Sequence, residues 1–275
     1  MDGSFIKKLK ARWAEGKYVC VGLDPDLEKL PGSLTREHES VEDAIVAFNK
    51  AIIDATAPLA CAVKPNSAFY EAYGEEGVRA LKKTAAYLAE AYPEIPTILD
   101  AKRADIGNSN EKYAEATFDE LGFGAITIHP YLGRTAVQPF LDRKDKGVFV
   151  LVKTSNEGSA EFQDLPVGNE MLYERVARAV AQAWNQNWNC GVVVGATYPE
   201  ELSRVRAVVG EMPILVPGIG AQGGDAKTAF AAAKNKAGTG VLIAVSRAVI
   251  YASSGPDFAD AARRAVQAYT DELTS

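Results

Sequence analysis

Short apolar runs and longer amphipathic stretches alternate along the whole chain. Runs rich in Val, Ile and Leu cover residues 18–23, 60–64, 97–102, 125–129, 148–153, 191–195, 214–217 and 241–245, each closing near a Gly, Pro or polar residue that marks a turn. Between them, residues 43–57, 76–91, 110–121, 170–186, 200–209, 226–233 and 256–273 carry apolar positions at helical spacing. Eight strands separated by helices imply parallel pairing, in either a doubly wound open sheet or a closed barrel. A doubly wound dinucleotide fold has a Gly-rich G-x-G-x-x-G turn after its first strand, and Val21-Gly22-Leu23-Asp24-Pro25 has none. The pattern therefore predicts an α/β protein, a (β/α)8 TIM barrel in a single domain over residues 1–275, with residues 1–16 as a helix preceding the barrel. Residues 32–40 and 156–168 are expected to be long polar strand-to-helix loops, the segments that build the site of a barrel.

Composition narrows the class without changing the fold. Apolar residues make up 47% of the 275 and charged residues 24%, ordinary proportions for a globular protein with ample core material. The formal net charge is −6, and the basic residues are spread along the chain, so no basic stripe points to nucleic acid. An anionic ligand must then be held by local groups. Cys20, Cys61 and Cys190 are far apart in apolar surroundings, which fits buried thiols in a reducing compartment rather than a disulfide framework or zinc site. The first fifteen residues lack the apolar core of a signal peptide, and no apolar run reaches membrane-spanning length. A cytoplasmic protein with no membrane partner is expected.

Chemistry enters at the ends of the strands. The inside of a barrel is packed with apolar side chains, so repeated charges at the carboxyl ends need another explanation. Asp24 ends the first strand, Lys64 the second, Asp100 and Lys102 the third, His129 the fourth, and Lys153-Thr154-Ser155 the fifth. Alternation puts Ile98, Asp100 and Lys102 on one face, with Asp105 following after a turn. A structural ion pair is the plainer explanation for any one of these charges. Four of them at one barrel mouth favour a site. His129 either caps its strand or lines the pocket.

A second group follows the seventh and eighth strands, where barrels commonly bind phosphate through loop backbone N–H groups and the start of a short helix. Pro217-Gly-Ile-Gly-Ala-Gln222-Gly-Gly-Asp suits that task because glycines let the backbone approach an anion closely. A ligand-free connection is the alternative. Ser246-Arg247 after the eighth strand adds a guanidinium, which favours phosphate.

Together, Asp100-x-Lys102-x-x-Asp105-Ile106, Gly22-Leu23-Asp24 upstream and Pro217-Gly-Ile-Gly-Ala-Gln222-Gly-Gly downstream resemble the orotidine 5′-monophosphate decarboxylase family over nearly the whole chain. The segment Asp100-Ala-Lys-Arg-Ala-Asp-Ile-Gly looks most like its longer bacterial branch, type 2. The resemblance implies cofactor-free, metal-free decarboxylation of orotidine 5′-monophosphate to uridine 5′-monophosphate in pyrimidine biosynthesis. It implies that Lys102 is the general acid within a network of Lys64, Asp100, Lys102 and Asp105, and that Asp24 and Lys64 hold the ribose. Ser155 would hydrogen-bond the pyrimidine, Pro217 would form part of its apolar pocket, and Gln222 and Arg247 would hold the phosphate. It further implies a homodimer in which Asp105, Ile106 and Ser109 act in the neighbouring subunit's site; many relatives carry threonine where this chain has Ser109. Metal-dependent relatives on the same barrel share the third-strand motif but place a glutamate on strand two. Here Lys64-Pro-Asn stands instead, and an ammonium repels a cation.

Overall fold

The computed structural model describes residues 4–220 and 223–274. All eight apolar runs form strands: β1 Val19–Leu23, β2 Ala62–Pro65, β3 Ile98–Arg103, β4 Ala125–Ile128, β5 Gly147–Lys153, β6 Cys190–Val194, β7 Ile214–Val216 and β8 Val241–Val245. They pair in parallel in the order β2-β1-β8-β7-β6-β5-β4-β3. The ring closes between β2 and β3 through single bridges, Val63 to Thr97 and Asn66 to Asp100. There the Val63 N–H donates to the Pro96 carbonyl at 2.9 Å and the Ser67 N–H to the Asp100 carbonyl at 3.2 Å. The predicted TIM barrel is the observed fold.

Strand alternation divides the core in two. Cys20, Ala62, Ile98, Ala125, Phe149, Val193, Leu215 and Leu242 point into the barrel, while their neighbours Val21, Val63, Leu99, Ile126, Val148, Val192, Val216 and Ile243 face the helices. The interior is filled, as barrel interiors are. Phe149 takes so much of it that a Cβ on Gly191 would come within 2.6 Å of its ring, so only glycine fits there.

The amino-terminal helix, Phe5–Ala14, starts on a Ser4 cap whose side chain accepts from the Lys7 N–H. Its apolar face, Phe5, Leu9 and Trp13, belongs to the interior cluster. Phe5 meets Phe149 edge to face at 5.8 Å between ring centres, and Trp13 Nε1 donates to the Val241 carbonyl at 2.8 Å. Arg12, buried, donates to the Ala57 and Ala60 carbonyls at 2.7 Å, just past the end of helix Val41–Thr56 where a cation suits the helix dipole. The helix expected ahead of the barrel thus closes its foot. Cys20, Cys61 and Cys190 are free and buried, and burial pushes the Cys20 and Cys190 thiols up to about 12.

The outer helices follow the predicted periodicity with three corrections. Arg134–Leu141, between β4 and β5, is a helix that the spacing does not announce, because it has eight residues and carries Pro139 inside. The segment expected as a loop over 32–40 contains a short helix, Gly32–Glu37. The one over 156–168 contains a turn, the short helix Ala160–Gln163 and half of a ribbon in which Pro166–Val167 pairs with Glu170–Met171. Helix formation therefore begins at Leu172 rather than at 170. Elsewhere Ser40 and Asp225 cap the helices Val41–Thr56 and Ala226–Ala233, the second over its predicted span.

Candidate active site

A cavity of about 810 Å³ opens at the carboxyl ends of the strands. Asp24, Lys64, Asp100, Lys102, Ser155, Pro217 and Arg247 all line it. Seven positions from six strand ends converge because the barrel brings every strand terminus to one rim. Gly22, on β1, allows the tight approach of β8: a Cβ there would sit 2.6 Å from the Ser246 Cβ.

Asp100 is the hub. Its Oδ2 lies 3.2 Å from Lys64 Nζ and its Oδ1 lies 2.7 Å from Lys102 Nζ. The side chains of Lys64 and Asp100 are 8% and 13% exposed, whereas Lys102 is 48% exposed, so one ammonium is sequestered and the other reaches the open cavity. Burial works against the charge of Asp100, but Lys64 and Lys102 outweigh it and hold the carboxyl well below the usual carboxylate range. Burial likewise opposes the charge of Lys64, and Asp100 with Asp24 overcomes it and raises the ammonium above the ordinary lysine value. Two cations share the Asp100 carboxylate, and Asp24 beside Lys64 supplies the second negative charge of the group. Asp24 turns its Oδ1 to the Asn66 N–H at 3.1 Å, which fixes its orientation beside Lys64.

Ile98, Asp100 and Lys102 share a face, as alternation requires: Leu99 and Ala101 lie in the outer cluster. Lys102 nevertheless departs from strand geometry. Its φ is +47°, a left-handed backbone that a non-glycine residue rarely adopts.

Other expected residues lie apart from the cavity. Asp105 is half-buried, and its Oδ1 accepts from the Ile106 N–H at 2.7 Å. The buried Asn110 holds this turn, accepting the Asp105 N–H at 2.8 Å and donating to its carbonyl at 2.6 Å. Ile106 is 64% exposed and Ser109 is exposed. Gln222 lies outside the described residues. His129 does not line the cavity; its Nε2 sits 3.2 Å from the Ala104 carbonyl, which fits the strand-capping alternative. Lys153 corrects an expectation. A register shift between Leu151 and Lys153 turns its side chain away from the mouth, where it is fully buried, 2.6 Å from Asp164 and 4.7 Å from the Tyr198 ring centre.

The cavity also holds polar residues that sequence pattern does not single out. Thr127, on β4, donates to Asp100 Oδ1 at 2.8 Å. Gln163 brackets Thr154, accepting its N–H at 2.9 Å and donating to its hydroxyl at 2.8 Å, and so braces the segment that carries Ser155. Tyr251 Oη donates to the Asp24 carbonyl at 3.0 Å and accepts from the Asp26 N–H at 2.7 Å. In the Gly-rich loop, Gly218 and Gly220 take positive φ, and the Gly220 N–H is turned into the loop, donating to the Gly224 carbonyl at 3.1 Å. That donor does not face the cavity in this arrangement. Arg247, at the start of the short helix Arg247–Ile250, lines the rim beside that loop, because β8 pairs with β7.

Residues 17–264 match the model of one family, described as orotidine 5′-phosphate decarboxylase / HUMPS. The chain belongs to that family. Among relatives of the orotidine 5′-phosphate decarboxylase family, the protein named orotidine 5′-phosphate decarboxylase from Janthinobacterium sp. (strain Marseille) is 50% identical over 262 residues, covering 95% of this chain and 94% of its own length. The one of the same name from Herpetosiphon aurantiacus is 49% identical over 267 residues, 96% of each chain. Among solved structures of the family, the OMP decarboxylase of Leishmania donovani superposes with a TM-score of 0.85 at 39% identity, covering 99% of this chain and all of that one.

Proposed function

We propose that this chain decarboxylates orotidine 5′-monophosphate to uridine 5′-monophosphate in de novo pyrimidine biosynthesis, without metal or organic cofactor, with Lys102 as the general acid. Proteins carrying that activity in their names match it at about half identity over nearly full length. The observation that carries the mechanism is the Lys102 ammonium, held 2.7 Å from Asp100 and exposed to the cavity. When the bond from C6 to the carboxylate breaks, the electron pair stays on C6, where ring resonance stabilises it poorly. A fixed cation beside C6 offsets that developing charge, and an N–H of the same ammonium then supplies the proton that becomes the C6–H of the product. Lys102 recovers its proton from water. Asp100 keeps the Lys102 ammonium aimed. Stabilisation of the transition state is the main contribution in this account; crowding of the substrate carboxylate against Asp100 is secondary.

In the same proposal Asp24 and Lys64 hold the ribose hydroxyls, Ser155 the pyrimidine amide, Pro217 its apolar edge, and Arg247 with Gln222 the phosphate. Binding energy at the phosphate, remote from C6, holds the strand-five and strand-seven loops over the substrate. Lys64 supports this over metal-dependent chemistry, because its ammonium occupies the strand-two position from which a divalent cation would need a carboxylate. Among the described residues, no helix is long and apolar enough to cross a membrane, and a cytoplasmic location accords with the pathway.

Purified protein given orotidine 5′-monophosphate and a metal chelator is expected to lose the pyrimidine absorbance of the substrate and release uridine 5′-monophosphate. No product, or turnover that needs added magnesium, rejects the proposal.

The proposal includes a homodimer. Asp105 and Ile106 do not line the cavity of their own chain, and Ile106, 64% exposed, stands in the segment that the family resemblance assigns to the neighbouring subunit's site. Mixing two inactive variants, Lys102→Ala and Asp105→Ala, is expected to restore activity, since a mixed dimer holds one site with both residues intact. Activity that stays absent after subunit exchange, verified by a tagged copy, argues that Asp105 serves its own chain.

A further inference from the structure

β4 is apolar apart from one residue. Ala125, Ile126 and Ile128 are buried hydrophobics, and Thr127 stands among them 1% exposed, at the wall of the cavity. A β-branched threonine suits a strand on its own account. Its hydroxyl does more than fill space: it accepts the Lys102 backbone N–H at 3.0 Å and donates to Asp100 Oδ1 at 2.8 Å.

Both bonds fall where β4 stops pairing with β3. β3 pairs with β4 at Ile98 with Ala125 and at Leu99 with Ile126, then not again until Arg103 with Ile128. Residues 100–102 are therefore skipped by the β3–β4 ladder, and within that gap lies the left-handed Lys102 with φ +47°. Backbone in such a region persists only when its surroundings hold it there. The Thr127 hydroxyl bridges the gap, tying the main chain of one charged residue to the carboxylate of the other. Its proton is committed to Asp100 and a lone pair to Lys102 N–H, so the directions of both bonds are set together.

We propose that Thr127 is a positioning residue for the decarboxylation, its hydroxyl fixing the Lys102 ammonium and the Asp100 carboxylate relative to substrate C6. The proposal rests on Lys102 being the proton donor, as argued above. Thr127 also favours the ionised form of Asp100, in the same direction as Lys64 and Lys102.

Thr127→Val removes the hydroxyl and keeps the shape; Thr127→Ser keeps the hydroxyl and removes a methyl. The valine variant is expected to lose roughly 10- to 100-fold in kcat, with KM and the affinity for uridine 5′-monophosphate held close to the parent's, because phosphate and ribose contacts lie elsewhere. The serine variant is expected to recover most of kcat. If the valine variant does not fold, Thr127→Ala set against Thr127→Ser makes the same comparison. An unchanged kcat in the valine variant overturns the proposal. So does a serine variant no better than valine, or a loss carried wholly by KM and product affinity. A parent with no decarboxylase activity rejects the functional proposal and this one with it, whereas an active parent with an equally active Thr127→Val rejects Thr127 alone.

Discussion

Lys102→Ala is expected to lower kcat by on the order of 10⁴-fold or more, since one substitution removes both the cation that steadies the C6 carbanion and the proton that quenches it. Binding should survive. The groups proposed to grip phosphate and ribose, Arg247, Asp24 and Lys64, lie on other strands and do not depend on the Lys102 side chain. Nor should the fold suffer, because the ammonium is half exposed and its loss leaves Asp100 still paired with Lys64. Steady-state turnover and titration with uridine 5′-monophosphate test both halves. A variant within tenfold of the parent in kcat would place the proton donor elsewhere.

Asp100→Asn should damage the protein more broadly. Lys64 is 8% exposed, and without the carboxylate it becomes a buried cation facing only Asp24, a situation that costs about 3–5 kcal/mol when one partner of a buried pair is deleted. The pH dependence has a definite sign. The folded-state value of Asp100 is depressed, so its contribution is complete above the unfolded carboxylate value, about 4, and is lost as pH falls through the folded value. The value for Lys64 is raised, so its contribution is complete below the unfolded lysine value, about 10, and is lost only as pH rises through the folded value. The difference in urea stability between parent and variant should thus be full at neutral pH and narrow in strong acid. A difference that grows in acid would mean that the Asp100 carboxyl is not held down by its neighbours.

Much of the fold could be read before any coordinates, and particular residues explain what could not. Strand ends came through within a residue or two, since Val, Ile and Leu runs bounded by Gly and Pro are an unambiguous local signal. The helix Arg134–Leu141 did not, because Pro139 argues against a helix in sequence yet is tolerated in this short one. Charged site residues announce themselves against apolar strands, which is why Asp24, Lys64, Asp100 and Lys102 were all legible. Lys153 announced itself equally and falsely. Alternation places it beside Leu151 in the cavity, and only the bulge at the end of β5 sends it to Asp164 instead. Thr127, Asn66 and Gln163 were invisible for the opposite reason: uncharged polar residues in strands and loops are common, and their meaning comes from partners 25 to 42 positions away or from a loop conformation.

The helix at the foot of the barrel has a further consequence. With Phe5, Leu9 and Trp13 wedged against Phe149 and its neighbours, the foot of the barrel is packed shut among the described residues, and the cavity opens at the carboxyl ends of the strands. Under the proposed reaction the substrate enters by that opening, and both the gas and the nucleotide leave by it. Traffic, as well as chemistry, is then governed at one rim.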